Sequence, residues 1–393
     1  MSTPVIAGAV RTPIGAFMGA LASVPATELG AIVIREALQR SGVPADRVDD
    51  VLMGCILQAG LGQGPARQSA IAAGIPDTVP ATTINQLCGS GLRAVALAAQ
   101  AIRAGDADVV VAGGMESMSR APHVVYLRDG RRMGDVPMRD TLIGDGLWCA
   151  LTDQHMGGTA EVVAERHGVS RDDQDAFAAE SQRLAALALE RDHFREQIVP
   201  VPVPQRRGEP VLVEQDEHPR PGTTADDLAG LRPAFREGGT VTAGNSSGIN
   251  DGAAAMVVLS DDRAAALGVQ PMARILGYAW TGIAPEVMGF APVDAVRAAL
   301  DRAGIGIDRV ELFEVNEAFA AQAVAVQREL GIGREVLNVN GGAIALGHPV
   351  GASGARILVT LLHEMRHREA RVGVAALCVG GGQGVAMVVE SLA

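Results

Sequence analysis

The sequence predicts an α/β protein whose two halves share one βα topology and pack about a pseudo-twofold axis. Three observations carry that expectation. A segment recurs: REALQRSGVPADRV at residues 35–48 returns as RAALDRAGIGIDRV at 297–310, with a constant offset of 262 from Arg35 to Arg297 and from Arg47 to Arg309. A second match follows at an offset of 263, where Ser90-Gly91 ahead of an Ala-rich run corresponds to Ser353-Gly354 ahead of ARILVTLL. After each of these runs comes a Val/Ala stretch ending in glycines, ADVVVAGG at 107–114 and VGVAALCVGGG at 372–382. Such stretches are apolar on both faces, as strands covered by helices on each side must be.

Taken in order, each copy of the first repeat reads as an amphipathic helix stopped by a glycine, Gly42 or Gly304, then a loop, then an apolar strand, VDDVLMG or VELFEVN. Residues 119–250 break the pattern with RDGRR, the Pro-rich IVPVPVP and the turn-rich HPRPGTT, and read as an insertion into the first half. It carries helices of its own, one announced by Ser170 with Asp173 three residues on. The expected division is 1–118 plus 251–268 for the first half, 119–250 for the inserted region and 269–393 for the second half. A chain of 393 residues is long enough for such a division, and 48 glycines with only 3% aromatics suit tightly packed layers.

Composition excludes several function classes. The net charge of −12 argues against general binding to nucleic acid or an anionic membrane, so an anionic ligand would be held by local arginines. Lysine is absent, which rules out a Schiff-base lysine, a pyridoxal-phosphate lysine and a Walker-type phosphate loop. No signal peptide, membrane-length apolar run or peroxisomal ending is expected, and Cys55, Cys88, Cys149 and Cys378 have no CxxC spacing. A reduced, cytoplasmic protein is the expectation.

The candidate chemistry centres on NQLCGSGL, where Cys88 sits among glycines just before a helix. A buried structural cysteine is the commoner fate. Glycine flanks let another backbone or ligand approach, and a thiolate gains from the free N–H groups of a helix start. If the halves superpose, Cys88 falls opposite the Gly-rich loop GGAIALGHPVGASG, and His348 across the axis is placed to take its proton. Cys378, at the end of an apolar strand facing glycines, and Asn316, at a strand-to-helix junction where simple N-capping is the plain alternative, complete the candidates. The HExxH pattern His363 to His367 lies late in a helix where basic residues gather, and no third ligand follows it in sequence, so a zinc hydrolase is the weakest expectation. No GxGxxG follows a first strand, so a dinucleotide site is not expected.

These segments resemble the signature segments of the thiolase family: NQLCGSG, AGGMESMS, NEAFA, GGAIALGHPVGASG and LCVGGGQG, with RTPIGAFMGAL near the start, GQGPARQ at 62–68 and TAGNSSGINDGAAA at 242–255. The resemblance spans essentially the whole chain and is nearest to the biosynthetic, short-chain subgroup. It implies the thiolase fold, a five-layer αβαβα core with an inserted loop domain, and reversible Claisen condensation of two acetyl-CoA to acetoacetyl-CoA and coenzyme A. Coenzyme A thioesters would be substrates, with no resident cofactor and no metal. By the same resemblance Cys88 takes the acyl group, His348 activates it, and Asn316 holds a water in one oxyanion hole. Cys378 is the acid/base, and the N–H groups of Cys88 and Gly380 form a second oxyanion hole. Ser247, Arg220, His155, Met156, Phe235, Ala243, Met288, Ala318 and Phe319 are implied as substrate and coenzyme A contacts. The YLRDGRRMGD stretch resembles the family's tetramerisation loop and implies a homotetramer in lipid and fatty-acid metabolism. Gln154 stands where close relatives often carry an aromatic residue. A 3-ketoacyl-CoA thiolase of longer chain preference is the first alternative, and a catalytically silent coenzyme A-binding protein the second.

Overall fold

The computed structural model describes residues 2–128, 130 and 132–392; Asp129 and Arg131 of the YLRDGRRMGD stretch lie outside the described residues. The first half contributes β1 (Pro4–Arg11), α1 (Ala26–Ser41), β2 (Asp50–Gly54), α2 (Pro65–Ala72), β3 (Ala81–Ile84), α3 (Ser90–Ala104) and β4 (Val109–Ser117). Helices α4 (Met156–Arg166) and α5 (Arg171–Glu190) belong to the stretch that breaks the repeat. The chain then returns through β5 (Asn250–Ser260) and β6 (Ala273–Gly282). It closes with α6 (Pro292–Ala303), β7 (Leu312–Val315), α7 (Ala320–Leu330), α8 (Ser353–His367), β8 (Val372–Val379) and β9 (Gln383–Ser391).

The strands form one mixed sheet in the order β7-β8-β9-β6-β1-β5-β4-β2-β3, with the short strand Gly15–Ala16 pairing beside β5. Outward from the β6/β1 seam the same pattern runs on both sides: the first two pairs are antiparallel and the third is parallel, and on the side of the first half β3 adds one more parallel strand beyond β2. The seam itself is antiparallel, with Val5 opposite Arg274 and Ile6 opposite Ala273, as a twofold axis between identical strands requires. The repeat read from the sequence is therefore a repeat of structure. Its glycine stops close α1 and α6 in the left-handed region, at φ +73° for Gly42 and +70° for Gly304.

Alternation along the buried strands sorts the side chains into layers. Val109 and Val111 face α1, packing with Leu29, Val33 and Ile34. Val110 and Ala112 face the middle of the molecule, where they meet Leu92 and Val95 of α3 and Ile357 and Leu358 of α8. On the far side Val374, Ala376 and Val388 pack under α6 and α7. The layers run α1/α2, sheet, α3/α8, sheet, α6/α7. Each fully buried Val, Leu or Ile contributes roughly 1.5–3 kcal/mol to this stack.

The middle layer positions the site. A Cβ on Gly91 would lie 2.7 Å from the Ala355 nitrogen, and one on Gly354 would lie 2.3 Å from the Leu92 nitrogen. Only glycine lets the starts of α3 and α8 cross this closely, which brings the Cys88 and His348 loops together. In the interrupting stretch, Ser170 and Asp173 form the capping box expected of α5. Among the described residues no helix is long and apolar enough to cross a membrane.

Candidate active site

Cys88 sits two residues before α3, after Leu87, whose φ of +47° is the left-handed conformation few side chains adopt. That turn was not legible in the sequence. Cys88, His348 and Cys378 face one cavity of about 360 Å³, supplied respectively by the loop before α3, the loop before α8 and the end of β8. Ser247, Arg220, His155, Met156, Phe235, Ala243, Met288, Ala318 and Phe319 all line the same cavity. Asn316 and Gly380 do not line the cavity; they touch lining residues, Asn316 through Nδ2 on His348 and Gly380 through its backbone N–H on the Cys88 thiol.

The imidazole of His348 is buried and tightly held. Its backbone N–H donates to Asn250 Oδ1 at 2.8 Å, and its Nδ1 lies 2.5 Å from Ser353 Oγ. Because the Ser353 hydroxyl donates to the Pro349 carbonyl at 3.0 Å, the network assigns the ring proton to Nδ1. Nε2 is then a free base, and the Asn316 amide Nδ2 approaches it at 3.4 Å. Burial, helped by the Arg356 charge, pulls the ring down to about 3, so it is neutral at neutral pH. Asn316 does not cap a helix: α7 starts at Ala320, and the buried Asn316 Oδ1 has no hydrogen-bond partner. A buried acceptor with no partner is a place for a water or a substrate group.

The backbone N–H groups of Cys88 and Gly380 both point at the Cys88 thiol and favour its anion, but burial outweighs them and pushes it up to about 11. The N–H groups act on the thiol in the direction the helix start implies, and burial leaves the resting group a neutral thiol beside a neutral imidazole. Desolvation in this site exceeds the gain from two N–H donors. Burial also raises the Cys378 thiol, and Cys88 lies near enough to raise it further. Two thiols and one base thus line one cavity, which suits a nucleophile that gives up its proton only when a substrate arrives.

Two residues escaped the sequence reading. Glu116, buried in the otherwise apolar β4, accepts N–H bonds from Ile56 at 3.0 Å, Leu57 at 3.1 Å and Gly351 at 3.0 Å. It fastens the His348 loop to the first half, and burial lifts it to about 7. Its signal was an acid inside VVVAGGMES. His218 lines the cavity beside Arg220, held below its ordinary value by burial and by that charge. Of the HExxH residues, His363 is buried with Nε2 3.0 Å from the Ala9 carbonyl and lines no part of the cavity, while Glu364 and His367 lie 3.8 Å apart elsewhere.

Similarity to known proteins covers the whole chain. The thiolase N-terminal domain model matches residues 4–262 and the C-terminal domain model 269–391. An acetyl-CoA acetyltransferase of Pseudomonas aeruginosa is 57% identical over 98% of this chain and 99% of its own. One from Cupriavidus necator is 56% identical over 99% of this chain and all of its own. The crystal structure of the Bacillus anthracis acetyl-CoA acetyltransferase superposes with a TM-score of 0.97 at 46% identity, covering 100% of this chain and 99% of that one. The chain belongs to the thiolase family.

Proposed function

We propose that this acyltransferase is an acetyl-CoA C-acetyltransferase, condensing two acetyl-CoA to acetoacetyl-CoA and coenzyme A and running the reverse thiolysis. The observation that carries the proposal is the meeting of Cys88, His348 and Cys378 on one cavity. His348 Nε2 takes the proton of Cys88 as sulfur attacks the thioester carbon, and the resulting Nε2–H then donates to the substrate oxygen beside a water on Asn316. The acetyl group passes to Cys88 and coenzyme A leaves, which divides the reaction into two steps with ping-pong kinetics. Cys378 gives its proton to the departing coenzyme A sulfur, and the thiolate so formed removes the α-proton of the second acetyl-CoA, while the N–H groups of Cys88 and Gly380 hold the oxygen of the acyl-enzyme as the carbanion attacks. One such preorganised donor contributes about 3–4 kcal/mol to a transition state.

Ser247, at the cavity wall, receives the pantetheine arm, and Arg220 meets the phosphate end. Among the described residues Arg220 makes no ion pair, which leaves its charge available. Met156, Met288, Ala318 and Phe319 enclose a short acyl group, and the stacked pair His155 and Phe235, 4.8 Å apart, stiffens that wall. Coenzyme A thioesters are substrates in this scheme, and no resident cofactor or metal takes part. Residues 1–118 with 251–268, 119–250 and 269–393 divide the work as first half, inserted substrate-arm region and second half. Exposed apolar side chains at Tyr126, Leu127, Met133 and Met138 support a homotetramer formed through that loop. A cytoplasmic place in lipid or fatty-acid metabolism fits such chemistry.

The test is thiolysis of 3-ketoacyl-CoA substrates of increasing chain length. Activity on acetoacetyl-CoA that collapses for longer chains, and disappears in Cys88→Ala, is expected. Comparable activity on a long-chain substrate would move the function to a broader 3-ketoacyl-CoA thiolase.

A further inference from the structure

Away from the cavity, three side chains from distant parts of the chain meet at the end of α8. His193 lies in the turn after α5, and Glu364 and His367 lie on the last turns of α8. One ligand atom from each falls within 4.8 Å of the other two. We propose that His193, Glu364 and His367 form a binding site for a divalent transition-metal ion of the zinc type, fastening the turn after α5 to the end of α8.

The distances favour coordination over direct pairing. Glu364 Oε2 stands 3.5 Å from His193 Nδ1 and 3.8 Å from His367 Nδ1. Both are too long for good hydrogen bonds. They are close to the ligand–ligand edge of about 3.3 Å expected for a tetrahedral site with bonds of roughly 2.0–2.1 Å. His193 Nδ1 is buried and has no hydrogen-bond partner, an unusual state for an imidazole nitrogen.

The surroundings are those of a metal site. Glu364 is buried, with its side chain 3% exposed, and is oriented by Asn340 Nδ2 on Oε2 at 2.7 Å and Arg368 Nε on Oε1 at 2.5 Å. His367 turns its other nitrogen, Nε2, toward Glu196 Oε2 at 3.7 Å, an approach to the carboxylate–histidine–metal arrangement that fixes a ligand's tautomer. The two imidazoles are about three-tenths exposed, which gives an ion an entry path and room for a water as fourth ligand. The nearby cations Arg366 and Arg368 are each paired with a carboxylate, Glu196 and Glu364. The negative end of the α8 dipole further favours a cation there. His363 takes no part, so the site is not the one the HExxH spacing describes.

The experiment titrates Zn²⁺ into the full-length protein after its cavity thiols have been alkylated with iodoacetamide, read by calorimetry. About one ion per chain is expected, and His193→Gln and His367→Gln should each weaken binding by more than the roughly 10–100-fold that loss of an outer-shell partner costs, without changing the melting temperature of the metal-free protein. Substituting Co²⁺ should give visible d–d bands with no thiolate-to-cobalt charge transfer. No binding, binding unchanged in both variants, or a thiolate band would each overturn the proposal. If one variant fails to fold, the other decides.

Discussion

At the scale of single residues, the site is governed by desolvation. Cys88 carries the features that lower a thiol elsewhere, a helix start and two facing N–H groups, yet burial holds it at about 11. His348 is pulled to about 3 by the same burial. The pair is neutral at rest, and in the proposed mechanism charge appears only when the proton moves during attack. This differs from a preformed thiolate–imidazolium pair, and alkylation kinetics distinguish the two. The rate of Cys88 modification by iodoacetamide, followed by mass spectrometry, should climb about tenfold per pH unit from neutral pH upward, with no plateau until the thiol titrates. A fast, pH-independent rate at or below neutral pH would mean that the ion pair exists in the free enzyme.

At the scale of elements, two glycines govern the approach of α3 to α8. Gly354→Ala would place a methyl 2.3 Å from the Leu92 nitrogen, a contact with backbone that no rotamer change relieves. The helices must separate, at a cost of about 1–3 kcal/mol for overpacking. The separation also shifts Ser353, whose hydroxyl orients His348. Gly354→Ala should therefore lower kcat well beyond what its loss of stability explains, measured by urea denaturation beside steady-state thiolysis. Full activity in a destabilised variant would show that the crossing serves packing alone. The same glycines were legible as a matched pair, because the offset of 263 that aligns Ser90 with Ser353 also aligns Gly91 with Gly354. The glycine stops at Gly42 and Gly304 and the capping box at Ser170 were equally legible, since each rests on local backbone geometry. The β1/β6 seam was not, because no repeated phrase marks it. Gly8 and Gly277 reveal it only in three dimensions, each pressing on the equivalent helix at the Ala37 or Ala299 carbonyl. Glu116 and the resting state of Cys88 were hidden for a related reason. Each depends on which groups from distant segments enclose it, and spacing along the chain does not record that.

At the scale of the whole molecule, the buried titratable groups oppose one another, and their balance predicts an unusual pH profile. His348 and His363 are lowered by burial to about 3 and about 4, from an ordinary 6.5. The unfolded chain binds their protons below about 6.5 and the folded protein does not, so the stability they allow above that pH is lost as pH falls toward 4. Glu116 and Glu314 are raised by burial to about 7 and about 8, from an ordinary 4.5. The folded protein keeps their protons where the unfolded chain has released them, so their contribution is present below about 4.5 and is lost as pH rises through 7 and 8. Between about 4.5 and 6.5 these histidines, joined by His155, His167 and His218, which burial lowers, pull against these carboxyls, joined by Asp50 and Asp251, which burial raises, and the two sets largely cancel. Above 6.5 only the carboxyls act, and below 4.5 only the histidines, reinforced by the surface carboxylates Asp108, Asp173 and Asp261, which hydrogen bonds hold low. Urea denaturation across this range should show a broad maximum at mildly acidic pH and a fall that begins just above 6.5. Glu314→Gln should flatten the upper part of that fall, near pH 8, whatever it does to the absolute stability, because the slope counts protons and not contacts. Stability that keeps rising through pH 7 to 8 in the parent protein would mean that Glu116 and Glu314 are ionised in the fold, with Arg356 and the backbone N–H groups outweighing their burial.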